Sequence, residues 1–203
     1  MKPMAFAVAV VALAGLAWAQ PQPQRGGGRG GFRGVQPLTL TIAAWPDGAA
    51  IPDTYAQPGH DVSPPIAWTW TSPTPPDNIA SYVLIVHDLD APVGTGTDDM
   101  LHWLVWNIPA AARQLPEGVP QGAALPDGSR QISATGPNYR GPAAPASGPP
   151  HHYVFELFAL DTMLDVPAVG AAPPQTRAAV ISAMAGHVRG KGVYTGTYRR
   201  RQP

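Results

Sequence analysis

From residue 38 onward the chain is a succession of short apolar or alternating runs separated by turn-forming stretches. Runs at 38–43 (LTLTIA), 66–71 (IAWTWT), 80–88 (ASYVLIVHD), 101–108 (LHWLVWNI), 129–133 (SRQIS), 152–160 (HYVFELFAL) and 193–198 (VYTGTY) have the length and spacing of strands. Between them stand SPTPPDN, DAPVGTGTDD, LPEGVPQG and GPNYRGPAAPASGPP, all rich in residues that favour turns. The run 101–108 is apolar on both parities, which predicts a strand covered on both faces and central in its sheet. One helical pattern follows Pro173-Pro174. Val180, Ile181, Met184 and Val188 form its stripe over about 175–189, with Gly190 placed to end it. Many short strands and one late helix predict a mainly β fold, an antiparallel β-sandwich with a short C-terminal helix.

Composition sharpens this picture. The 203 residues suffice for one domain with a sizeable core, and 26 prolines and 22 glycines fit a loop-rich β fold. The absence of cysteine excludes disulfides and thiolate metal sites. Residues 1–19 carry the marks of a signal peptide. Lys2 precedes an apolar run at 5–19, too short for an ordinary membrane span, and Ala17-Trp18-Ala19 is a small-residue cleavage site. Residues 20–36 (QPQPQRGGGRGGFRGVQ) read as a flexible linker, which leaves 37–199 as the folded domain. These features predict export to a bacterial periplasm or exterior, with no transmembrane span in the mature chain. Net charge is zero overall but unevenly placed. All 13 acidic residues lie between Asp47 and Asp165, opposed there only by Arg113, Arg130 and Arg140, a local balance of −10. That argues against nucleic acid as a partner, and any anion bound to the body must be held by local donors.

Candidate chemistry gathers at strand ends: Asp88-Leu89-Asp90-Ala91-Pro92, then His102, then the doublet His151-His152 with Tyr153. Alternation assigns faces. His151, Tyr153, Phe155 and Leu157 share one face, and His152, Val154, Glu156 and Phe158 the other. Tyr82, Leu84, Val86 and Asp88 share a face, and His87 points away. His102 falls on the parity of Leu104 and Trp106, opposite Trp103. The doublet is thereby split, and each cluster divides into one possible site residue and one neighbour that faces elsewhere.

The stretches DVSPPIAW (61–68), HDLDAPVGTG (87–96), MLHWLVWNIP (100–109), GPNYRGPAAPASGPPHHYVFELFALD (136–161) and AMAGHVRGKGVYTGTY (183–198) resemble the phosphatidylethanolamine-binding proteins, in particular their bacterial Raf-kinase-inhibitor-like branch. The resemblance implies a β-sandwich with a small pocket at one end that takes phosphate-like anions and phospholipid head groups. It places Asp88, Asp90, Pro92, His102, His151 and Tyr153 at that pocket as ligand-binding residues. Two departures stand out: Leu89 replaces the proline usual between the aspartates, and His152 stands where an arginine is usual, removing a permanent charge. Histidines and a tyrosine hydroxyl can donate to phosphate oxygens, while Asp88 can orient a histidine or receive an ethanolamine ammonium. The expected partner is thus a small phosphate-containing ligand or phospholipid head group, with an extracytoplasmic serine protease as the alternative partner implied by the family. No H-E-x-x-H, G-x-S-x-G or P-loop motif is present. No catalytic residue, metal or cofactor is therefore assigned, and a metal-dependent hydrolase remains the third reading.

Overall fold

The computed structural model of the chain describes residues 34–202; the expected signal peptide and nearly all of the expected linker lie outside them. Eight strands and one helix follow in the order β1 (Gln36–Thr41), β2 (Ile66–Trp70), β3 (Ser81–Val93), β4 (Asp98–Pro109), β5 (Gln114–Leu115), β6 (Arg130–Ile132), β7 (His151–Leu160), α1 (Pro173–Met184) and β8 (Val188–Tyr198). Their hydrogen-bonded order is β5-β2-β1-β8-β7-β3-β4-β6. Neighbours are antiparallel except β1 and β8, which run parallel over Gln36–Gly190 and Pro37–Lys191. Beyond this short junction the sheet folds over, so that Leu38, Leu40 and Trp68 pack with Leu84, Trp103, Phe155 and Leu157 in one core. The sandwich and the single helix are as expected; the parallel junction is not, because two paired residues leave no pattern in the sequence.

A second core lies on the opposite face of the larger sheet. Val83, Ile85, Leu104 and Trp106 are covered there by Val180 and Met184 of α1 and by Leu164 and Val166. This explains why β3 and β4 are apolar on both parities. β4 is not central, however. Its outer edge meets β6 only at Leu104–Trp106, because burial of both faces says nothing about neighbours within the sheet. The helix is shorter than its stripe suggested. It stops at Met184, Gly186 takes φ 83, and Val188 and Arg189 already belong to β8.

The segment 90–99, expected as a loop, is instead mostly hairpin. Pro92 and Val93 pair with Asp99 and Asp98, leaving the tip at 94–97. β8 begins five residues earlier than expected because its inward positions are glycines, which carry no hydrophobic signal. A Cβ at Gly190 would lie 2.5 Å from the Trp70 ring, and one at Gly192 2.3 Å from Leu40 Cδ1. These glycines allow the small sheet to close over the large one.

Candidate functional site

β3 delivers Asp88 to the end of its paired run. Tyr82, Leu84 and Val86 fill the sandwich core, and Asp88 continues their face, 3% exposed and opposite Tyr153 of β7. Tyr153 and His151 share the inward face of β7, as alternation requires. His102 arrives by a different device. Val86 pairs with Trp103 and His87 with Leu101, so His102 is an extra residue, a β-bulge in β4. Strict alternation placed His102 with Leu104 and Trp106 on the helix side. The bulge reverses the parity, so that Leu101 joins the helix-side core while His102 turns to Asp88 and Tyr153.

Asp88 is the hub. Its Oδ2 lies 2.9 Å from His151 Nδ1 and 3.9 Å from His102 Nε2, while Oδ1 accepts the Asp90 backbone N–H at 3.0 Å. His102 is fixed from behind: its Nδ1 donates to the Arg140 carbonyl at 2.8 Å, and Arg140 N–H donates to the His102 carbonyl at 3.0 Å. Because a carbonyl can only accept, Nδ1 carries the hydrogen, and the Nε2 of the neutral ring faces Asp88 as an acceptor. Burial pushes the His102 pKa below the ordinary histidine value, outweighing the Arg140 carbonyl and Asp88, which raise it. The Tyr153 ring meets His102 edge to face at 5.0 Å. Its hydroxyl, held well above its ordinary pKa by burial and then by Asp88, accepts the Ala143 N–H at 3.4 Å.

These groups line a cavity of 120 Å³ completed by Ala91, Met100, Arg140 and the Ala143–Pro145 turn. Asp88, His102, His151 and Tyr153, expected at the site, come together here. Asp90 and Pro92 are not among the lining residues. Asp90 accepts the His152 backbone N–H at 2.6 Å and lies 2.8 Å from His152 Nδ1, and these contacts hold its pKa low; Pro92 pairs with Asp99 in the hairpin. His152 is directed away from the cavity, its side chain 63% exposed. His87 faces the helix side, 2.5 Å from Asp99 and 3.4 Å from Glu156.

Arg140 escaped the sequence reading. Its Nε is buried without a hydrogen-bond partner, and one terminal nitrogen lies 3.5 Å from Met100 Sδ. It sits in an aperiodic loop, so neither alternation nor a motif marks it. The one available signal was that it is among only three arginines in a strongly acidic stretch. A larger cavity of 440 Å³ lies on the other face, between the hairpin and α1. Its Asp99 and Arg177 satisfy each other at 2.5 Å, and of the two cavities only the smaller is lined by a residue with a buried unpaired donor, Arg140. Among the described residues, no group of three histidine or carboxylate side chains is arranged to hold a metal ion.

A family model described as phosphatidylethanolamine-binding protein matches residues 41–199. A UPF0098 protein of Methanothermobacter thermautotrophicus is 38% identical over 165 residues, covering 80% of this chain and 99% of that protein. A Mycobacterium tuberculosis protein provisionally named lipoprotein LppC is 32% identical over 164 residues, covering 80% of this chain and 74% of its own length. Among solved structures, the phosphatidylethanolamine-binding protein homologue CT736 of Chlamydia trachomatis superposes with TM-score 0.64 at 29% identity, covering 81% of this chain and 99% of that one. Escherichia coli YbcL, described as a member of the mammalian PEBP family, gives TM-score 0.66 at 24% identity with the same coverage.

Proposed function

The chain belongs to the phosphatidylethanolamine-binding protein family, and from that premise we propose that it is an exported protein that binds a small phosphate-type anion among Asp88, His102, His151, Tyr153 and Arg140. The observation that carries this reading is the Arg140 guanidinium, with a buried Nε that has no partner in the protein, on the wall of a cavity that also holds Asp88, His102, His151 and Tyr153. A buried donor of this kind is costly unless a ligand or water satisfies it, and a guanidinium matches phosphate oxygens. Arg140 supplies the fixed positive charge that position 152 lacks. Asp88 balances it and is placed to meet an ammonium or hydroxyl attached to the anion. At 120 Å³ the cavity suits a phosphate group and its first substituent atoms, since pockets for drug-sized ligands run to about 300–1,000 Å³.

Export is supported by the signal-like residues 1–19 and by the relative named as a lipoprotein. Without a cysteine this chain has no thiol to carry a lipid anchor. Fractionation should therefore find it soluble outside the cytoplasm; retention in the cytoplasm would refute that part. Among the described residues, no helix is long and apolar enough to cross a membrane.

Isothermal titration of inorganic phosphate and of phosphoethanolamine into the protein tests the anion reading. One charged hydrogen bond contributes about 1.5–3 kcal/mol, so Arg140→Gln should weaken binding by about 10- to 100-fold. Circular dichroism should show the fold unchanged. Equal affinity in wild type and Arg140→Gln would refute the assignment.

A further inference from the structure

The pocket's hydrogens are unevenly distributed. His102 Nδ1–H is committed to the Arg140 carbonyl at 2.8 Å, and His151 Nδ1 faces Asp88 Oδ2 at 2.9 Å. In the neutral rings both Nε2 atoms are therefore acceptors. Asp88 Oδ2 and His102 Nε2 consequently face each other as two acceptors 3.9 Å apart, too far for a direct hydrogen bond and with no hydrogen between them. Donors line the same cavity: the Arg140 guanidinium, whose Nε–H is unpartnered, the Ala143 N–H, whose bond to the Tyr153 hydroxyl is long at 3.4 Å, and the Tyr153 O–H. Asp88 is 3% exposed and His102 is 3% exposed, so bulk water is a poor substitute for a bound donor.

We propose that this pocket selects an anion that brings its own hydrogen, an O–H or N–H presented to Asp88 and His102 while the anionic oxygens face Arg140. The inference rests on the anion-binding reading above and adds a specificity to it. It separates two ions that charge and size barely distinguish. At about pH 8, above the ordinary titration range of histidine, phosphate is present as the hydrogen-bearing dianion, and sulfate is a dianion with no hydrogen. Sulfate would set a third acceptor against Asp88 and His102. Sites that hydrogen-bond a ligand hydrogen reject analogues lacking it far more strongly than apolar pockets reject a methylene.

Titrating phosphate and sulfate separately into the wild-type protein at about pH 8 should show phosphate favoured by about 100-fold or more. Phosphoethanolamine and phosphocholine form a second pair, since only the former carries N–H hydrogens. A preference for phosphoethanolamine would identify the ammonium as an accepted source; methyl phosphate, lacking both hydrogens at this pH, should bind as poorly as sulfate. In Asp88→Asn the amide can turn an N–H toward the anion, and the phosphate-to-sulfate ratio should collapse toward one. Equal wild-type affinities for phosphate and sulfate, or tighter sulfate, would overturn this inference and leave the anion reading standing. Binding of none of these ligands would overturn both.

Discussion

At the scale of single residues, an apolar strand end becomes a polar site because each charge finds a partner on one face only. Asp88 and His87 are neighbours in sequence yet serve different networks, Asp88 with His151 and His102, His87 with Asp99 and Glu156. The second network is a stability element. The His87 imidazole 3.4 Å away, followed by the Lys191 ammonium at 2.6 Å, holds Glu156 at about 2 against an ordinary 4.5, although burial acts in the opposite direction. The native state thus resists protonating Glu156, and the associated stability is complete above pH 4.5 and lost as pH falls from 4.5 toward about 2. His87 behaves oppositely. Burial lowers its pKa, but Glu156 and Asp99 together raise it above 6.5, so its contribution is complete below 6.5 and lost as pH rises through the raised value. Denaturant melts of Glu156→Gln against wild type should show a flatter decline between pH 4.5 and 2 in the variant; parallel curves would remove Glu156 from the account.

At the scale of elements, two irregularities do what regular strands could not. The bulge at His102 lets β4 keep Trp103 and Val105 in the sandwich core while turning His102 toward the site from the same face. Period-two reading failed at Leu101 and His102 for that reason, and a second register shift, between Tyr82 and Leu84, likewise moves Ile108 off the parity of Leu104 and Trp106 into the sandwich core. The sequence still exposed His151, Tyr153 and Asp88, because β7 and β3 are regular where those residues stand. β8 is the second irregularity, a strand whose inward glycines hid its first half from hydrophobic-pattern reading. Gly192 is tightly enclosed: a Cβ would meet Leu40 Cδ1 at 2.3 Å and the Leu38 carbonyl at 2.6 Å. Gly192→Ala should cost about 1–3 kcal/mol, seen as a lower denaturation midpoint. Gly148→Ala, where nothing lies within 4 Å, is the matched control and should leave the midpoint unchanged. Equal midpoints for Gly192→Ala and wild type would show that the sheets close with room to spare.

For the molecule as a whole, strand content, the sandwich and the covered faces of β3 and β4 were legible because burial imposes period and composition along a strand. The parallel β1–β8 junction and the position of β4 within the sheet were not, because pairing between distant segments leaves no local trace. The same limit hid Arg140, whose proposed role depends on its loop pairing with His102 of β4. The stretch 47–165 carries −10, and the cations of α1 and of β8 and its end bring the described residues to 9 basic against 13 acidic side chains, a balance of −4, so the proposed anion binding rests on this local constellation and not on the long-range field. The most direct test is to follow the imidazole nitrogens of the six histidines by NMR during a phosphate titration. His102 and His151 should shift together, saturably and with one dissociation constant, while His60, His87 and His187 stay in place. Shifts confined to the exposed His152 and His60, or none at saturating phosphate, would contradict anion binding at this site.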